Sequence, residues 1–308
     1  MQLHTYLVAD EAAFDFTPAS YARLQASNPN LELVVHTSLA NLLEALPEIE
    51  LLDTWRFDVD WYALAPRLQH LFTPAAGHDW VHADPENVVK VWRGRFHGPM
   101  IAETLLSLIL HFNREMPAMQ ALQQQHQWDR NRQQHSHLLS RQTALILGYG
   151  AIGKTCASYL GRLGVEVFAY QRRFSTGVDT DSGARYIGPQ ELPAHLASAD
   201  HVILLLPGGS ATHGFMNRQL LGQLKAGACL YNFGRGTTLL ETDLLWALDH
   251  TEVKGAGIDV TEREPLPADS PLWDHPKLVL LPHSSCIYAD YQALHLDELE
   301  PILLSLSH

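Results

Sequence analysis

Three cysteines in 308 residues, 21 basic side chains against 34 acidic ones, and no uninterrupted apolar run of membrane length set the first limits on this chain. Cys156, Cys229 and Cys286 stand far apart, with no CxxC and no Cys/His pattern of metal-ligand spacing. So sparse and odd a count excludes a disulfide scaffold and fits a reduced, cytoplasmic setting. The longest apolar stretch, 101–112, is interrupted by Glu103, Thr104, Ser107 and His111, so no membrane partner is expected. The first ten residues lack the basic start and apolar run of a secretion signal. A formal charge of −13 excludes a broad phosphate-backbone surface, and with it nucleic acid, while leaving room for a local basic pocket. The 18 histidines form no HxxxH pair in an acidic helical context, and no metal site is assigned.

What is present is ample core material. A 46% hydrophobic content over this length suits one large domain or two ordinary ones. Short apolar runs at 3–8, 31–35, 50–54 and 68–73 alternate with helical patterns at 20–26 and 39–46, the rhythm of a parallel sheet flanked by helices. A long helical stretch follows over about 100–125, with Pro117 expected to kink or break it. The polar segment 128–141 reads as an exposed connection to a second sheet. From there strands are expected at 143–147, 165–170, 199–206, 228–233, 255–259 and 278–281, with helices at 151–163, 217–224 and 241–248. The fold class is therefore α/β, with two Rossmann-like or flavodoxin-like doubly wound parallel-sheet domains. The tail, 289–307, has helical apolar spacing suited to packing back on the first domain.

Between the expected strand 143–147 and helix 151–163 lies a G-x-G-x-x-G loop formed by Gly148, Gly150 and Gly153. Alone this is a weak signal, since glycine clusters also mark ordinary turns. The strand before it and the helix after it give it the context of a dinucleotide-binding loop. Gly148 permits the tight turn, Gly150 lets backbone approach a pyrophosphate, and Gly153 permits close helix–strand packing. Tyr149, Ala151 and Ile152 complete the loop, where helix N–H groups and the positive dipole end face the anion. An acidic residue is expected at the end of the next strand to hold the ribose hydroxyls. Gln171, Arg172 and Arg173 stand there instead. Guanidinium groups suit a 2′-phosphate, so NADP(H) is the preferred cofactor, with NAD(H) possible.

Three further strand ends carry polar residues. Arg235 follows one between two glycines, Asp259 ends another with Glu264 in the loop beyond, and His283 follows the third. Ligands of open parallel sheets bind at the carboxyl ends of strands, which brings these groups to the side of the glycine loop. Each alone has an ordinary structural explanation; their order and common placement favour a site.

With LQHLFTPAAGHDWV, GYGAIG, LLLPGGSATHGFMN, LYNFGRG, GIDVTEREPLP and SPLWDHPKLVLLPHSS in this order, the chain resembles the D-isomer-specific 2-hydroxyacid dehydrogenase family, and within it the glyoxylate/hydroxypyruvate reductase branch. The matching pieces run from about residue 66 to 286; the first 60 residues and the last 20 add little. The resemblance implies a substrate domain of residues 1–99 and 287–308, a dinucleotide-binding domain of 100–286, and a cleft between them. It implies reduction of a small 2-keto acid to the D-2-hydroxy acid, and a homodimer formed near 100–120. His283 would protonate the carbonyl oxygen, Glu264 would hold its tautomer and favour imidazolium, and Arg235 would clamp the carboxylate and polarise the carbonyl. Leu206, Pro207, Phe233, Gly234, Asp259 and Ser285 would border the cofactor, Asp259 orienting the nicotinamide amide. Backbone N–H groups of Ala76 and Gly77 would hold the substrate carboxylate, with Trp55 capping the pocket and Met100 near the cleft. Two other readings stand beside this one: a nucleotide-sensing corepressor on the same scaffold, and a formate or phosphite dehydrogenase, which Glu264 and the Arg172–Arg173 pair disfavour.

Overall fold

The computed structural model describes residues 1–172 and 177–306. The chain divides into two compact units, Met1–His97 with Ile287–His308, and Gly98–Cys286. Among the described residues no helix is long and apolar enough to cross a membrane.

The first unit runs β1 (Gln2–Tyr6), α1 (Pro18–Ser27), β2 (Glu32–Val35), α2 (Leu39–Ala45), β3 (Leu51–Thr54), β4 (His70–Thr73) and β5 (Lys90–Arg93). All its strand pairings are parallel, in the order β2-β1-β3-β4-β5. Both early helices begin at hydroxyl caps: Thr17 accepts from the Ser20 N–H, and Ser38 from the Asn41 N–H. β5 was not foreseen. Its sequence, KVWR, has no apolar run, because it closes one edge of the sheet and is only half-buried.

The second unit holds α3 (Gly98–Asn113), α4 (Met116–Gln124), β6 (Thr143–Leu147), α5 (Ala151–Arg162), β7 (Glu166–Tyr170), β8 (Arg185–Ile187), α6 (Leu192–Leu196), β9 (His201–Leu204), α7 (Arg218–Leu221), β10 (Cys229–Asn232), α8 (Glu241–His250), β11 (Gly255–Ile258) and β12 (Leu278–Leu280). Its seven strands are parallel in the order β12-β11-β10-β9-β6-β7-β8. The chain order reverses between β6 and β9, the switch point where such sheets bind ligands.

Burial on both faces explains the continuous apolar strands. Along β6, Ala144 and Ile146 join the core layer shared with Leu105 and Leu108 of α3 and Cys156 and Leu160 of α5. Leu145 and Leu147 point the other way, into the layer with Leu196, Leu244 and Leu248. Helix α5 buries Gly153, Cys156, Ala157 and Leu160, one helical stripe.

The helix expected over 100–125 is two helices. The break falls at Glu115, which adopts a left-handed backbone with φ of 54°. Pro117 sits in the first turn of α4, where its missing N–H costs no helical bond. The helix expected at 217–224 shortens to the single turn of α7, capped by Asn217. The last helix, α9 (Tyr291–Leu306), packs in the first unit: Leu296, Leu299 and Leu303 meet Leu3, Leu24 and Phe72. His295 Nε2 lies 2.8 Å from a carboxylate oxygen of Asp53, both buried.

Candidate active site

The parallel sheet of the second unit places every strand end on one edge, and the predicted residues of that unit gather there. After β6, Gly148 turns with φ of 107°, and a Cβ at this position would lie 2.5 Å from the Leu205 carbonyl. A Cβ on Gly153 would collide with the Gly148 carbonyl at 2.4 Å, so helix and loop pack as closely as glycine allows. At Gly150 the reverse holds: a Cβ would meet nothing within 4 Å. Gly150 also caps α5 without any side-chain bond, so the first N–H groups of the helix, at Ala151 and Ile152, have no side-chain cap. Two glycines are there for packing and one for an open approach. That is the form a pyrophosphate cradle requires, and the residues fit a dinucleotide.

Tyr149 is anchored by its hydroxyl, 2.6 Å from Ser182 Oγ. At the end of β7 the Gln171 N–H donates to the Ile187 carbonyl at 3.0 Å, and Arg172 is exposed. Arg173 lies outside the described residues. Beyond β9, Leu206 is buried and Pro207 exposed, the Pro207 carbonyl accepting from Thr212 Oγ1 at 2.6 Å. A Cβ on Gly234 would lie 2.4 Å from the Leu206 carbonyl, which sets these two segments side by side, with Phe233 buried beneath.

Arg235 leaves β10 in extended conformation and is half-buried. Asn232, buried at the strand end, braces its loop: it accepts from the Gly234 N–H and donates to the Arg235 carbonyl, each at 3.1 Å. Thr238 Oγ1 donates to the same carbonyl at 2.7 Å, and an Arg235 guanidinium nitrogen donates to the Gly234 carbonyl at 2.8 Å. On the far side of the loop, a Cβ on Gly236 would overlap the Thr261 carbonyl, so the Arg235 loop rests directly on the segment leading to Glu264.

Glu264 and His283 meet. Glu264 Oε2 lies 2.7 Å from His283 Nδ1, while Oε1 accepts the Thr261 N–H at 3.1 Å. The hydrogen bond to Glu264 raises the His283 pKa above its ordinary value; burial and Arg235 oppose this, while the charges of Glu264 and Asp259 add to it. Burial works to raise Glu264, yet the bonds to His283 and Thr261 and the charges of His283 and Arg235 outweigh it, and its carboxyl lies below the ordinary range. With Nδ1 committed to the carboxylate, Nε2 is the ring nitrogen that can serve a substrate. The side chain is 35% exposed, enough to be reached.

His283 has a left-handed backbone, φ 51°, a costly conformation for a residue with a Cβ. Asp259 holds it. The His283 N–H donates to the Asp259 carbonyl at 2.8 Å, and the Asp259 carboxylate accepts the Ser284 N–H at 2.7 Å, the Ser285 N–H at 3.2 Å and the Ser285 hydroxyl. Burial raises the Asp259 pKa despite these donors. Asp259 and Ser285 thus engage one another and fix the turn that presents His283.

In the first unit, Trp55 follows β3 half-buried, stacked on Tyr291 at 5.8 Å between ring centres and tilted against Phe14 at 5.3 Å. Ala76 and Gly77 are half-buried in the turn after β4, where Thr73 Oγ1 accepts the Ala75 N–H at 3.2 Å. Arg93 ends β5 with its guanidinium 3.4 Å from the Gly77 carbonyl, and burial lowers its pKa. Arg93 and Asn232 were not foreseen. Asn232 lies inside the strand expected over 228–233, where nothing marks it as a brace, and Arg93 ends a strand that was not expected. Met100 is buried within α3.

A glycine loop at a sheet's switch point, with an Arg, a Glu–His pair and a buried Asp on neighbouring strand ends, defines a nucleotide-dependent oxidoreductase. Residues 106–285 match the model described as "D-isomer specific 2-hydroxyacid dehydrogenase, NAD binding domain", and the chain belongs to that family. It is 32% identical over 249 residues to a protein named glyoxylate/hydroxypyruvate reductase A of Salmonella dublin, covering 78% of each chain. It is 35% identical over 185 residues to the protein of the same name of Yersinia enterocolitica, 60% of this chain and 57% of that one. Among solved structures it resembles a D-isomer specific 2-hydroxyacid dehydrogenase from Xanthobacter autotrophicus in complex with NADPH, with a TM-score of 0.81 at 26% identity over 99% of this chain and 95% of that one. An NADPH-dependent glyoxylate/hydroxypyruvate reductase from Sinorhizobium meliloti in complex with NADP matches with a TM-score of 0.80 at 27% identity, covering 99% and 95%.

Proposed function

We propose that this chain reduces small 2-keto acids, of the size of glyoxylate and hydroxypyruvate, to their D-2-hydroxy acids with NADPH. The names of its relatives support the substrate class, and the NADPH and NADP bound by its structural neighbours support the cofactor. The observation that carries the chemistry is the 2.7 Å contact between Glu264 and His283.

When bound, NADPH supplies the hydride. The Gly148–Gly153 loop and the start of α5 would hold its pyrophosphate, and Arg172, at a strand end with no acidic residue, would pair with the 2′-phosphate. His283 gives a proton from Nε2 to the carbonyl oxygen as the carbon is reduced, and regains one from solvent. Glu264 stabilises the imidazolium before transfer and fixes which nitrogen faces the substrate. Arg235 pairs with the substrate carboxylate and draws electron density toward the carbonyl oxygen. Asp259 positions His283 through the 283–285 turn. Ala76, Gly77 and Trp55 of the first unit are proposed as substrate contacts on family resemblance.

A reduced, cytoplasmic setting is proposed from the sparse cysteine content; the three cysteines are unpaired, and two of them are buried. The homodimer is proposed on family resemblance. Following NADPH loss with glyoxylate, hydroxypyruvate, pyruvate and bulkier keto acids tests the reading. Turnover confined to the small acids supports it; no turnover of any 2-keto acid refutes it.

A further inference from the structure

At the amino edge of the seven-stranded sheet, opposite the strand ends just described, lies a cavity of about 470 Å³. Its floor is the start of four strands, with Gln142 before β6, Asp200 and His201 at β9, Cys229 at β10 and Lys254 before β11. The end of α3 and the connection that follows α4 supply Glu115 and Arg132. Nothing in the proposed reduction uses these groups.

Three cations, Arg132, Lys225 and Lys254, line the cavity against two carboxylates, Glu115 and Asp200, an excess of one positive charge in a chain of formal charge −13. The carboxylates also aim the cations. Asp200 Oδ1 lies 2.6 Å from Lys225 Nζ, and the largely buried Glu115 lies 2.6 Å from Lys254 Nζ and 3.5 Å from Arg132. An ammonium group has three donors and a guanidinium five, so each cation keeps donors for a second acceptor. The carboxylate of Glu115 is held there by the left-handed backbone that splits α3 from α4, a strained conformation of the kind that collects at functional sites. Beneath them, His201 is buried and its pKa is pushed down to about 4 by burial. Its ring nitrogens, each at 3.2 Å, meet Gln142 Oε1 and the Tyr231 hydroxyl, a neutral floor that adds no charge.

We propose that this cavity is a second ligand site, for a small organic anion carrying carboxylate or phosphate groups, bound by the spare donors of Lys225, Lys254 and Arg132. Its volume lies in the range of small-molecule sites, and the three cations that line it favour an anionic occupant.

The test uses the full chain saturated with NADP, so that the glycine loop is filled. Succinate and glycerol 3-phosphate are titrated separately to about 10 mM, the range of weak anion affinity. Binding is followed by calorimetry and by the imidazole NMR signals of His135 and His137, which line the same cavity. Shifts at His135 and His137 with either anion support the site, and the better of the two identifies its chemistry. Lys225→Gln, on an exposed turn, is expected to weaken binding roughly tenfold, the effect of losing a charge-assisted bond, with NADPH oxidation by glyoxylate unchanged. Binding of neither anion overturns the proposal. So does binding that survives Lys225→Gln and disappears in Arg235→Met. These outcomes are read without turnover, so they are independent of whether the proposed reduction holds.

Discussion

The two edges of the seven-stranded sheet each carry a histidine among charged residues, and the two histidines are set in opposite directions. At the carboxyl edge His283 is a third exposed, sits 2.7 Å from Glu264, and its pKa is raised. At the amino edge His201 is buried between Gln142 and Tyr231, neutral partners both, and its pKa falls to about 4. A carboxylate partner with partial access makes an imidazolium available near neutral pH; neutral partners with full burial remove it. The same residue type on the same scaffold is therefore set to carry a proton on one edge, the role proposed for His283, and to stay neutral on the other.

Substituting the two histidines sharpens that contrast most. His283→Ala is expected to lower kcat for keto-acid reduction by about 10²–10⁴-fold, with NADPH affinity retained by fluorescence titration. His201→Gln is expected to leave kcat near wild type while lowering thermal stability, because a buried hydrogen-bonded group is disturbed. Comparable kcat losses in both variants would erase the distinction.

Asp259→Asn comes next. The variant weakens the bonds that hold the left-handed His283 turn, and a drop of about tenfold in kcat is expected, the cost of weakening a charge-assisted hydrogen bond. KM for NADPH should move less; a change in KM alone would assign Asp259 to cofactor contact. A smaller effect is expected at Arg172→Ala, where the ratio of kcat/KM for NADPH to that for NADH narrows by roughly tenfold and kcat is kept. An unchanged ratio would remove Arg172 from cofactor selection.

Much of the second unit is legible from sequence because its strands are buried on both faces and read as unbroken apolar runs ended by polar residues. Edge strands escape this signal. β5 and β8 are short and bordered by charges, Lys90, Arg93 and Arg185, and neither stands out from a loop. A break was expected at Pro117, but the chain turns two residues earlier, at Glu115, whose left-handed backbone no local propensity announces. Within the candidate site, the placement of Arg235 and His283 just past strand ends, and of Glu264 in a loop beyond another, was legible. The braces could not, because Asn232 on the Arg235 loop and the bond of Asp259 to the Ser284 N–H are contacts that only the folded turns create. Chemistry-bearing residues announce themselves by type and position; the residues that aim them do so only in three dimensions.

The central claim is that Glu264 tunes His283 as the proton donor. The raised His283 pKa fixes the sign of the pH dependence: the donor is fully protonated below it, and reduction is lost as pH rises through it. The direct measurement is the pH profile of kcat/KM for glyoxylate reduction in the wild-type protein and in Glu264→Gln. Removing the carboxylate's charge is predicted to shift the alkaline limb to lower pH, with the largest rate deficit above neutrality. A profile whose inflection stays where it is in the wild type would contradict the assignment.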